Sequence, residues 1–185
     1  MKFIGIDPGV SGAIAVINGT VTELFSWETA DIPTIKVGKR NEVDPEGLLE
    51  LLSLHTHCPD LMIDFGAQVS LERVHSMPGQ GVASTFSFGK ATGTIIGCLA
   101  GVGLWERTTL VTPQVWKKAM LKDMPKEKES SIVRCRELFP YSDHFLANRT
   151  GVAFEEDLPK RSHENRADAL LIAEHLRLTT GEVSE

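Results

Sequence analysis

Four acidic residues stand where a folded chain has reason to avoid them. Asp7 closes the apolar run FIGID, Glu72 closes AQVSLE, and Glu164 and Asp168 lie four apart in HENRADALLIAEHL. An ionised carboxylate in a low-dielectric interior shifts its pKa or is matched by a cation. Asp7 comes just before the turn-forming PGVSG and Glu72 shortly before SMPGQG, so both are predicted at the open rim of a sheet. Glu164 and Asp168 share one face of a helix, where like charges repel unless a cation joins them. Together they make a hard, all-oxygen donor set of the kind that suits Mg²⁺ or Mn²⁺. Two such ions about 4 Å apart activate a water and stabilise the leaving oxygen of a phosphodiester. His163 competes with Glu164 for the fourth place, as ligand or general base. Five residues from Asp168, it falls off that face unless the helix begins after it.

Three of the acids also have a plainer reading. Asp7 can hydrogen-bond the backbone of its own turn, Glu72 can pair with Arg73 on an edge strand, and Glu164 can sit at a helix N-terminus for its dipole. A formal net charge of −6 argues against a polyanionic partner. The distribution argues the other way. Between Lys117 and Arg136 seven cations, including Lys118 and Lys122, face three acids. A basic segment beside clustered carboxylates suits a metal-dependent nuclease, and a solvated helix face is the simpler alternative.

The elements that must carry these residues follow from periodicity and punctuation. Phe3 to Asp7 and Ala13 to Ile17 read as strands, and Asn18-Gly19 signals a hairpin into a third strand over Val21 to Trp27. Lys36 to Glu42 reads as a mobile polar loop, with Lys36, Lys39 and Arg40 as cations. Asp44-Pro45-Glu46 opens a helix to about His57. Ala67 to Val74 is a strand, Gly79 to Gly101 a helix, and Leu104 to Val111 a strand. Helices follow over Pro113 to Met120, Lys126 to Phe139 and about Glu164 to Leu178, with a loop from Tyr141 to Arg161. Parallel pairing of the first strand with the fourth, through a helical crossover, brings Asp7 and Glu72 to the same rim.

A chain of 185 residues with 42% hydrophobic content suits one domain with a sizeable core. The apolar run Thr92 to Trp105 is too short for a bilayer, so no membrane is expected. The start of the chain carries no basic leader, which predicts a cytoplasmic protein. Three widely spaced cysteines form neither a disulfide framework nor a zinc site of paired spacing. His55 and His57 beside Cys58 read as a helix end rather than a soft-metal site.

Taken together, GIDPGVSGA, the strand ending in Glu72, VTPQVWKKAM and RADALLIAEHL resemble the RuvC-type Holliday-junction resolvases. LERVHSMPGQGVASTFSFGKATG looks like their phage-encoded branch. The resemblance runs from Lys2 to about Leu178. It implies an RNase H-like α/β fold: a mixed five-stranded sheet, a three-strand antiparallel meander plus two parallel strands, flanked by helices. It also implies a homodimer, a divalent metal and paired nicks in four-way DNA junctions, in the host cytoplasm if phage-encoded. Asp7, Glu72 and Asp168 match the family's acidic triad, and Lys117 or Lys118 matches a basic residue near the scissile phosphate. The chain departs from the pattern at the fourth ligand. Better-known bacterial members carry Asp or His three residues before the last Asp, and Asn165 stands there here.

DNA contacts are expected from Lys117, Lys118, Lys122, Lys39, Arg40 and Arg73. Met77 is a candidate wedge between base steps, while Phe86 and Phe88 read as core. Gly89, Gly93, Gly97 and Gly101 recur every fourth residue, and either a close helix contact at the dimer interface or packing on the sheet accounts for them. A junction-binding protein with a degenerate site, or a nuclease for flaps or forks, fits the same residues. An actin-like ATPase also begins with a GIDxG-type strand, but needs two such domains.

Overall fold

The computed structural model describes residues 1–19, 26–56, 66–75, 79, 81–127, 129–139 and 160–181. The chain opens with strands β1 (Lys2–Asp7), β2 (Ala13–Asn18) and β3 (Ser26–Asp31), then a small hairpin of β4 (Thr34–Val37) and β5 (Arg40–Val43). Helix α1 (Pro45–Thr56), strand β6 (Gln68–Glu72), helix α2 (Val82–Gly101) and strand β7 (Thr108–Val111) follow. Helices α3 (Pro113–Met120), α4 (Ser130–Leu138) and α5 (Lys160–Gly181) complete it. The main sheet has five strands in the order β3-β2-β1-β6-β7, antiparallel from β3 to β1 and parallel from β1 through β6 to β7. This is the RNase H-like arrangement.

The period-two alternation of β1 and β2 builds two cores. Ile4, Ile6, Ile14 and Val16 face α1 and α2, with Leu48, Leu52, Ile95 and Leu99. Phe3, Ala13, Ala15 and Ile17 face the other way, onto Ala167, Leu170, Leu171 and Ala173 of α5. Alpha5 is buried nearly all round, because α3 and α4 cover its outer side with Trp116, Cys135 and Phe139. It also lies unusually close to β1. A Cβ on Gly5 would run into the backbone of Ala169 and Ala173, so only glycine admits the helix at this depth.

Several boundaries differ from expectation. Residues 36–42, expected as a loop, belong largely to a hairpin, with Val37 paired to Arg40 around Gly38, whose φ of +59° suits a tight turn. Its polar sequence misled because little of the hairpin is buried: all of β4 is exposed, and in β5 only Val43 reaches the core. Asp44 N–H donates to the Pro33 carbonyl at 2.9 Å and closes its base, and Lys90 of α2 pairs with Glu42 at 2.5 Å. The third strand extends through Asp31, past the expected end at Trp27; residues 20–25 lie outside the described set. Alpha4 begins at Ser130 rather than Lys126, and α5 begins at Lys160, ahead of Glu164.

Phe86 is 73% exposed rather than core. A Cβ added at Gly89, Gly93 or Gly97 would meet nothing within 4 Å, so the stripe does not pack on the sheet. The buried side of α2 is Ala91, Ile95, Cys98 and Leu99. No helix among the described residues is long and apolar enough to cross a membrane.

Candidate active site

The register of the sheet sets the acids in a row. Ile6 pairs with Leu71 in the parallel β1/β6 ladder, so Asp7 and Glu72 are the next residues on neighbouring strands. Asp7 pairs with Ala13, Ala13 with Asp31, and Glu72 with Val111. Residues directly opposite on neighbouring strands share a face, and Ala13 and Val111 belong to the core on the α5 side. Asp31, Asp7 and Glu72 therefore lie on one transverse row of the sheet, on the face that α5 covers.

Alpha5 brings Asp168 over this row. Two contacts tie its early turns to the rim: the Asn165 side-chain amide donates to the Ser11 carbonyl in the β1–β2 turn, and Arg166 Nε donates to Asp31 Oδ1 at 2.7 Å. Arg166 is only 3% exposed. Asn165, where the resemblance led one to look for a ligand, is thus engaged in holding the helix to the turn that follows Asp7.

Alpha3, which leaves the rim directly after β7, reaches both carboxylates with consecutive residues. Trp116 Nε1 donates to Glu72 Oε1 at 2.8 Å. Lys117 Nζ stands 3.4 Å from Asp168 Oδ2 and 4.9 Å from the centre of the Trp116 ring, a cation–π distance. Ser131 of α4 also hydrogen-bonds Asp168. Burial raises the Glu72 carboxyl above its usual range, helped by the negative charge of Asp168 and opposed by Trp116 and Lys117. Burial likewise raises Asp168, with Glu164 adding repulsion and Lys117 and Ser131 opposing it.

Because α5 starts at Lys160, Glu164 lies one turn before Asp168 on its side of the helix, whereas His163 is about 140° away round the axis. Lys118 and Lys122 are exposed at and beyond the end of α3, and Lys39 and Arg40 are exposed on the hairpin. Arg73 is exposed just past β6. Met77, His57 and Cys58 lie outside the described residues.

The donor chemistry fits a hard divalent cation. The groups at the rim are carboxylates, two of them raised by burial and mutual repulsion, and a cation, the Lys117 ammonium, already sits against one of them. In this arrangement no three His, Cys, Asp or Glu side chains among the described residues meet closely enough to hold a metal ion.

Sequence reasoning missed Trp116, Ser131 and the Arg166–Asp31 pair. Only Trp116 carries a signal, a tryptophan directly before the two lysines of PQVWKK. Arg166 and Asp31 are 135 residues apart, and only the register connects them.

Comparison of the sequence with protein-family models and with curated proteins found no match. Solved structures do resemble it. The Thermus thermophilus RuvC structure superposes with a TM-score of 0.54 at 18% identity, covering 97% of this chain and 98% of that one. The T. thermophilus RuvC in complex with Holliday junction substrate gives a TM-score of 0.55 at 16% identity, with 97% of each chain covered. At such identities the likeness is one of fold: over nearly its whole length the chain has the architecture of RuvC.

Proposed function

We propose that this chain is a divalent-metal-dependent endonuclease that resolves four-way DNA junctions and related branched DNA by paired nicks. The observation that supports this most is the alignment of acidic residues from three remote segments along one sheet rim, Asp7 and Glu72 by strand register and Asp168 by helix docking, with Lys117 against Asp168. Burial raises the carboxyls of Glu72 and Asp168 above their usual range, and clustered groups perturbed in this way are common at functional sites.

In this reading Asp7, Glu72, Asp168 and Glu164 hold Mg²⁺, with Mn²⁺ able to replace it. The cation supplies positive charge at the scissile phosphate and lowers the pKa of a water. Lys117 or Lys118 offsets charge developing on the phosphate. Lys117, Lys118, Lys122, Lys39, Arg40 and Arg73 hold the DNA backbone, with Met77 as the wedge at the crossover. Paired nicks need two sites, hence a homodimer. The reading extends to a phage-encoded enzyme working in the cytoplasm of a bacterial host.

A second reading, a junction-binding protein with a degenerate site, is favoured by one feature: Lys117 already neutralises Asp168, as a cation would. Asp7→Asn separates the two. The nuclease reading expects the variant to bind a synthetic four-way junction as wild type does while nicking falls by at least about a thousandfold. Undiminished cutting removes the proposed mechanism, and a wild-type protein that binds junctions but neither cuts them nor takes up Mn²⁺ in calorimetry favours the binding module.

A further inference from the structure

Outside the carboxylates themselves, Trp116 is the buried side chain that contacts both Glu72 and the lysine paired with Asp168. It is fully buried, yet its one polar atom is spent on a carboxylate rather than on backbone: Nε1 donates to Glu72 Oε1 at 2.8 Å. Its ring face lies 4.9 Å from Lys117 Nζ, and that ammonium pairs with Asp168 at 3.4 Å. One rigid ring thus touches Glu72 by its edge and, through Lys117, faces Asp168.

We infer that Trp116 is the positioning residue of this site, its indole N–H fixing one oxygen of Glu72 and its ring seating Lys117, so that the spacing of Glu72 and Asp168 is set by a side chain that meets neither metal nor DNA. The inference rests on the nuclease reading and deepens it. A glutamate at a strand end has three side-chain torsions, and without a donor it can turn toward solvent. A buried indole has two, both held by the surrounding core of α3, α4 and α5, so the N–H is a fixed point. Partners of this kind behind metal-ligating carboxylates hold ligand geometry, and their loss typically costs about 10–100-fold in metal affinity. The carboxylate oxygen opposite the hydrogen bond is the one left for a cation.

The decisive variant replaces Trp116 with β-(benzothien-3-yl)alanine, which keeps the shape and the ring face and removes only the N–H. Mn²⁺ titrated calorimetrically into the metal-free protein should bind at least about tenfold more weakly than to wild type, with the melting temperature little changed. On a four-way junction kcat should fall while KM stays near the wild-type value, because the DNA-holding cations are untouched. Trp116→Phe, which keeps an aromatic face, should show the same loss and serves if the isostere folds poorly. A residue that only fills space would leave Mn²⁺ affinity unchanged in the isostere, and that result overturns the inference. Wild type that binds no Mn²⁺ instead overturns the nuclease reading beneath it.

Discussion

Burial makes the charged forms of Glu72 and Asp168 unfavourable, and the sign of the resulting pH dependence follows from their raised pKa values. Between the ordinary carboxylate range and the raised values the folded protein binds more protons than the unfolded chain. Metal-free stability therefore increases as pH falls from neutral into that window and is lost as pH rises through it. Glu72→Gln removes the charge while keeping an acceptor for Trp116. It should stabilise the metal-free protein at pH 7, seen as a higher Tm than wild type. The gain should fade on acidification, and calorimetry in the presence of chelator measures both. A variant that melts lower than wild type at pH 7 would show that Glu72 contributes more as an anion than its burial costs. Adding Mg²⁺ should reverse the ranking, since only the wild-type carboxylate set binds it well.

At the scale of elements, the decisive contact is that of α5 on β1. Ala169 and Ala173 pass so close to Gly5 that a single methyl meets backbone rather than a movable side chain. Gly5→Ala should cost about 3 kcal/mol, at the upper end of overpacking penalties, seen as a fall in Tm of roughly 6–12 °C. Because Asp168 rides on the same helix one residue from Ala169, junction cleavage should fall more than junction binding. Full activity in this variant would mean that the depth of α5 does not set the site. The hairpin of β4 and β5 is the opposite case, an element joined to the rest by its closed base, by Val43 in the core and by Lys90 of α2, with Lys39 and Arg40 exposed on it.

At the scale of the whole molecule, the outward face of α2 bears on pairing. Alpha2 turns Gly89, Gly93 and Gly97 outward with open space beside them, below Val82 at 88% and Phe86 at 73% exposure. If a second copy docks there, wild type should have a dimer mass in solution and Gly93→Leu a monomer mass. Replacing glycine in an exposed helix interior should at the same time stabilise the monomer fold by up to about 1 kcal/mol. Static light scattering and a melting curve separate these effects, and a Gly93→Leu protein that remains dimeric rejects this face as the interface.

Much of this was legible in the sequence because it depends on local rules. The continuous apolar runs FIGID and AIAVI and the Asp44-Pro45 helix start specify strands and a helix, and acids at strand ends announce a rim, whereas Asn18, read as part of a tight turn, lies in β2 and pairs with Ser26. The crossover rule then puts β1 beside β6. What the tertiary structure alone decided are the contacts between remote segments. Arg166 meets Asp31, Trp116 meets Glu72, and Lys117 rather than Lys118 meets Asp168, each by packing of a helix onto the sheet at a depth and rotation that no local pattern encodes. The polar hairpin and the outward Phe86 escaped for a related reason: hydrophobic periodicity reports which face an element buries, and says little of residues whose environment is solvent.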